Sequence, residues 1–142
     1  MAAEFEVMKA TYVRLNAFSA LTALLADGAD GVRSYVPQDQ ANVDADFPFV
    51  VIGDLTSIPF DADDMLGFEM TVTVHCFDRA RGPGSIMSIM GQVYNALNRY
   101  DLPVTGMHTV DVLWDDTAEV LLEPDGLTFH GVQRFRITIT GE

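Results

Sequence analysis

The 142-residue chain has little positive charge, one cysteine and three histidines. Eight Lys and Arg stand against 21 Asp and Glu, a formal net charge of −13. A field of that sign repels phosphate, and no basic cluster offsets it locally, so sequence-specific nucleic-acid binding is not expected. Because Cys76 is alone, there is no intrachain disulfide framework and no thiolate metal cage. Its place on the apolar side of a strand pattern marks it as a small core residue. His75, His108 and His130 have no H-x-x-H or H-E-x-x-H spacing and read as sheet-surface or rim residues. No apolar run approaches the roughly 18 residues of a membrane span. The opening segment has acids before Lys9 and no continuous apolar stretch, which argues against a secretory signal and for folding in a reducing cytoplasm. With no repeat, low-complexity segment or linker, residues 1–142 are expected to form a single domain. Its 49% hydrophobic and 20% charged composition is that of a folded protein.

The chain's most regular stretch is a strand, a tight connection and a helix. Phe68, Met70, Val72, Val74 and Cys76 alternate with Glu69, Thr71, Thr73, His75 and Phe77, the period of a strand with one buried face. After Gly82, Pro83 and Gly84 the period changes, and Ile86, Ile89, Met90, Val93, Leu97 and Tyr100 recur at helical spacing. Upstream, residues 4–26 read as two helical pieces. Phe5, Met8, Tyr12 and Leu15 form one stripe, and Phe18, Leu21 and Leu25 form another, with a break near residues 16–19 and Ser19 as second N-cap. Gly28 and Gly31 end that element. Residues 32–36 predict a short strand stopped by Pro37, and residues 38–46 a polar loop. Residues 47–55 predict a strand covered on both sides. Residues 56–67 predict a long acidic loop. Residues 107–114 give a further strand, with Val110, Val112 and Trp114 on one side. Asp115, Asp116 and Thr117 interrupt it, and residues 118–122 continue it. Pro124, Asp125 and Gly126 mark a turn before a last strand over 128–140. There Gln133, Phe135, Ile137 and Ile139 face one way, and Arg134, Arg136, Thr138 and Thr140 the other. The pattern predicts an α+β fold: a four- to five-stranded, mainly antiparallel sheet with two main helices packed on one face. Residues 47–55 and 68–78 should pair as a hairpin, as should the last two strands.

Nothing in the chain reads as an active site. Asp61, Asp63 and Asp64, and Asp115, Asp116 and Glu119, lack the glycine and terminal glutamate of an EF-hand loop. Gly82-Pro83-Gly84-Ser85 lacks the Lys-Ser/Thr of a P-loop and the G-x-G-x-x-G of a dinucleotide fold, and Pro83 removes a donor. No serine sits in G-x-S-x-G. Met70, Met87 and Met90 read as core. No cofactor, catalytic residue or metal ligand is expected. Protein contact remains. The candidate interface residues are Ile58, Phe60, Asp61, Asp63, Asp64 and Met65 in the long loop, with Arg134 and Arg136 on the outward side of the last strand. Two cations in so acidic a chain suit pairing with an acidic surface of a second copy.

The order of these features resembles the tail terminator, or tail-completion, proteins of long-tailed phages and phage-like gene transfer agents. The resemblance rests on Leu21, Leu24 and Leu25 closing the first helical region and on Phe47-Pro48-Phe49-Val50-Val51. It rests equally on His75-Cys76-Phe77-Asp78-Arg79, on Val93-Tyr94-Asn95-Ala96-Leu97, and on the run from Asp125 through His130, Gly131 and Arg134 to Ile137. The resemblance implies a structural virion protein, made in the bacterial host cytoplasm and placed at the head–tail junction. Its copies form a ring, commonly of six, that caps the head-proximal end of the tail tube, stops tube polymerisation and meets a head-side connector. DNA passes through the lumen without specific binding. The alternatives are a head-side stopper or adaptor and, from another class, a small metal- or phosphate-binding enzyme.

Overall fold

In the computed structural model, residues 3–34, 47–59 and 67–141 are described, apart from the side chains of residues 116 and 117. The first helix, α1 (Ala3–Ala17), is followed by the single turn α2 (Ser19–Thr22) and a 3-10 turn (Gly28–Gly31). The strands are β1 (Val32–Arg33), β2 (Phe49–Pro59), β3 (Gly67–Asp78), β4 (Met107–Leu122) and β5 (Phe129–Gly141), with α3 (Gly84–Leu97) between β3 and β4. They form one sheet in the order β1-β2-β3-β5-β4, antiparallel except for the short β1–β2 pair. This is the expected α+β arrangement. The two expected hairpins, β2–β3 and β4–β5, are both present.

The two periods read from the sequence meet in the core. Met70, Val72, Val74 and Cys76 from β3, and Phe135, Ile137 and Ile139 from β5, are buried against Ile86, Ile89, Met90, Val93 and Leu97 of α3. Val7, Leu15 and Leu21 from α1 and α2 complete the layer, so both main helices lie over one sheet face. Arg14 joins the helices: its Nε donates to the Ala96 carbonyl at 2.8 Å, and its guanidinium lies 3.6 Å from the centre of the Tyr100 ring. Gly131 permits close packing, because a Cβ there would lie 2.5 Å from Met90 Sδ.

Four local expectations are corrected. The buried stripe of α1 is Ala3, Val7, Thr11 and Leu15, while Phe5 is 63% exposed and Tyr12 also faces outward. Small side chains let α1 approach the core closely, and the Thr11 hydroxyl is satisfied by donating to the Val7 carbonyl at 2.8 Å. The helical break falls where expected, but the N-cap of α2 is the extended Phe18, and Ser19 is its first helical residue. Residues 56–67 are not a loop throughout: Thr56 to Pro59 continue β2, and Gly67 opens β3, with Pro59 opposite Phe68. β4 runs unbroken through residues 115–117. Its register shifts between Thr109 and Asp111 and between Trp114 and Ala118 place Val110 outward, away from buried Val112. Bulges absorb the residues that break the alternation. The loop expected over 38–46 lies outside the described residues.

Candidate assembly surface

Cross-strand pairing defines the sheet face that the helices leave uncovered, because directly paired residues project to the same side. One row runs Ile58, Glu69, Thr138 and Asp111; the next runs Thr56, Thr71, Arg136 and Leu113. Gly53, Thr73 and Arg134 follow, then Val51, His75, Val132 and Glu119, then Phe49, Phe77, His130 and Leu121. The face is thus threonine-rich with two arginines at its centre and an aromatic end. Of the candidate residues, Ile58, Arg134 and Arg136 lie on this face together. Ile58 is 62% exposed on β2, two rows from Arg134. Phe60, Asp61, Asp63, Asp64 and Met65 lie outside the described residues.

Arg134 approaches Glu119 at 4.0 Å and Arg136 approaches Asp115 at 3.9 Å, both acids belonging to β4. The arginine side chains are 40% and 41% exposed. Long single-atom pairs in water are worth about 0–1 kcal/mol, so a better-placed carboxylate can replace either partner at little cost.

The aromatic end is more ordered. Phe77 stacks on His130 at 4.4 Å between ring centres and on Phe49 at 5.0 Å. Arg79 lies 4.2 Å above the Phe47 ring, and its Nε donates to Thr128 Oγ1 at 3.0 Å. That hydroxyl donates in turn to Asp125 Oδ2 at 2.8 Å. Asp125 Oδ1 accepts the Leu127 and Thr128 N–H groups, and these bonds, with the hydroxyl, hold its pKa below the ordinary carboxylate value. Gly126, with φ of 71°, completes the turn.

Between this end and the arginines lies a line of four titratable side chains. Asp54 Oδ2 meets His75 Nε2 at 3.1 Å, His75 Nδ1 meets His130 Nε2 at 2.8 Å, and His130 Nδ1 meets Glu123 Oε1 at 2.8 Å. Asp54 sits at the β2 register shift with φ of 49°. Burial, then the charge of His75, lowers the pKa of His130, with Glu123 and Glu119 opposing. The two histidines are 55 positions apart, so only the pairing of β3 with β5 reveals the contact. Local alternation puts each on a strand, but it does not carry the order of the strands. Among the described residues no group of three or more His, Cys, Asp or Glu is arranged to hold a metal ion. Cys76 lies on the covered face, where burial pushes its thiol pKa up to about 12 and leaves it inert.

A second feature went unnoticed in the sequence. Met87, Tyr94, Trp114, Ala118 and Val120 line an apolar groove of about 280 Å³ between α3 and the edge strand β4. Met90 and Met70 are core as expected, but Met87 is 54% exposed. Tyr94 and Trp114 meet edge-on at 6.2 Å, and Asn98 donates to the Tyr94 hydroxyl while its Oδ1 accepts the Trp114 backbone N–H. Strand β4 also exposes Val110, Leu121 and Leu122.

A surface of this kind suits contact between proteins. Residues 9–140 match the family model described as "Tail completion protein gp17". The chain belongs to the tail completion protein gp17 family. The tail completion protein gp17 of Bacillus phage SPP1 is 32% identical over 99 residues, covering 68% of this chain and 70% of that protein. A chain from a structure titled "Virion of native gene transfer agent (GTA) particle" superposes with a TM-score of 0.85 at 18% identity. It covers 99% of this chain and 98% of that one, and so shares the fold. The family identifies a structural component of a phage virion tail.

Proposed function

We propose that copies of this protein form a closed ring at the head-proximal end of the tail tube. There the ring ends tube polymerisation and presents a surface to the head-side connector. The observation that carries this reading is a division of surfaces within a chain of the tail completion family. One side of the sheet ends in a long edge strand beside an apolar groove, and the uncovered face carries Arg134 and Arg136 in weak, exposed pairs. A head-to-tail ring needs two different complementary surfaces on each subunit, and an exposed edge strand is a ready site for one of them. The other partners in this reading are the major tail tube protein and a head-side stopper. The net charge of −13 suits a lumen through which DNA slides without adhering. Ile58 borders this surface and is assigned to a subunit or tube contact.

Light scattering on the purified chain, alone and mixed with tail-tube protein, tests the ring. A mass several times that of the monomer in either sample supports it, and monomer in both overturns it. Deleting the gene should yield overlong tails, whereas tails of normal length that fail to join heads would indicate a stopper. The double substitution Arg134→Glu and Arg136→Glu should reduce the ring mass while leaving the circular dichroism spectrum unchanged. An unaltered ring would remove the arginines from the interface.

A further inference from the structure

We propose that the groove between α3 and β4 receives the outward side of α1 from a second copy, with Phe5 seated among Met87, Tyr94 and Trp114 and Lys9 meeting the acids of β4. The contact presupposes the proposed ring and supplies the occupant of its groove. α1 is apolar on more sides than its own sheet covers. Ala3, Val7, Thr11 and Leu15 bury one side, yet Phe5, Tyr12 and Val13 are exposed on the other. A helix apolar all round belongs inside a protein or against a partner. At about 100° per residue, Phe5, Lys9 and Tyr12 fall in one narrow stripe, and Glu4 and Glu6 stand well to either side of it. Their positions, i, i+4 and i+7, are those by which a helix lies in a groove.

The groove offers the matching surface. Met87, Tyr94 and Trp114 are its exposed members, and no charged side chain among the described residues lines it. Charge enters on the strand beside it. Asp115 and Glu119 adjoin Trp114 and Ala118 in β4, and each is held only by its long contact to Arg136 or Arg134. Lys9 is the only lysine of the chain, and it stands on the stripe between Phe5 and Tyr12. Its alkyl stem can lie along the apolar contact and carry the ammonium to those carboxylates. Both hydropathy and sign therefore match: a phenyl ring against methionine and aromatic rings, and a cation against acids.

Placement in the fold makes this a contact between copies. α1 packs on β1 and β2, whereas α3 packs on β3, β5 and β4, so α3 stands between α1 and the groove. A subunit cannot fill its own groove with α1. Each copy instead offers a helix toward the β1 edge and a groove at the β4 edge, two unlike surfaces at opposite ends of one sheet. Joined head to tail, such surfaces close into a ring when the rotation between copies allows it.

Carbodiimide cross-linking of the full chain, with isotope-labelled and unlabelled copies mixed before assembly, tests the pairing. Because Lys9 is the sole lysine, the expected product is an amide between Lys9 and Asp115 or Glu119 whose two peptides carry different labels. Mixed-label Lys9 products only with acids elsewhere, or none at all from assembled protein, overturn the contact. The uncharged helix-forming substitutions Phe5→Gln and Met87→Gln, both at exposed positions, should keep the circular dichroism spectrum. In light scattering each should lose the high-mass species under conditions where the native chain assembles. Rings of native mass from both variants overturn the contact and leave the ring itself standing. A native chain that stays monomeric, alone and with tube protein, overturns the ring and this contact with it.

Discussion

The two faces of the sheet are built by different rules. The covered face is a continuous apolar layer in which Met70, Val72, Val74, Cys76, Phe135, Ile137 and Ile139 meet two helices. Its stability comes from area removed from water and depends on shape. The uncovered face is held by directed contacts: two loose ion pairs, a histidine bridge, stacked rings and an arginine above a phenylalanine. Apolar packing tolerates no gap but is indifferent to pH, whereas the polar face can exchange its partners. A protein that must remain folded while it joins an assembly gains from keeping these tasks on opposite sides.

Adjacent residues on β5 offer the sharpest test of that division. Phe135 is fully buried and Arg134 faces outward. Phe135→Ala should cost about 3–5 kcal/mol in chemical denaturation, and Arg134→Ala no more than about 1 kcal/mol. Similar losses for the two would mean that the faces are not distinct. A smaller effect is expected at Gly131, where the added methyl of Gly131→Ala must displace the end of the Met90 side chain. A destabilisation of about 1–3 kcal/mol is expected, and Met90→Ala in the same chain should relieve part of it. A double-mutant cycle with no coupling would show that Met90 is not the obstacle.

The smallest effect belongs to Asp125, and it appears only in acid. Its folded pKa is lowered, so its contribution is present above the unfolded carboxylate range and is lost as pH falls through the folded value. Asp125→Asn should therefore flatten the acid side of the stability-versus-pH curve below about pH 4. An unchanged acid limb would place the proton linkage elsewhere.

The same division explains how much the sequence revealed. Alternation in residues 68–77 and helical spacing after Ile86 each report one buried face, so the core, the two hairpins and the side chosen by Arg134 and Arg136 were legible. α1 was harder: its buried side is marked by Ala3, Val7 and Thr11 rather than its largest side chains, and hydrophobic size misleads where close approach is what matters. Val110 belongs to the wrong side of a simple alternation because a bulge intervenes. The histidine bridge and the Met87–Trp114 groove depend on strand order and on distant partners, and local periodicity carries neither.

The order β3-β5-β4 also bears on how the protein comes to exist. β5 is the last of these strands to leave the ribosome, yet it supplies the pairing partner for both β3 and β4. Until it arrives, β4 has no neighbour in the sheet, and β3 presents one bare edge. Synthesis therefore passes through an interval in which two long strands are open to mispairing, a hazard typical of contacts that span much of a chain. A stop codon before Phe129 would remove more than a tail of residues: it would leave two halves of a sheet with nothing between them.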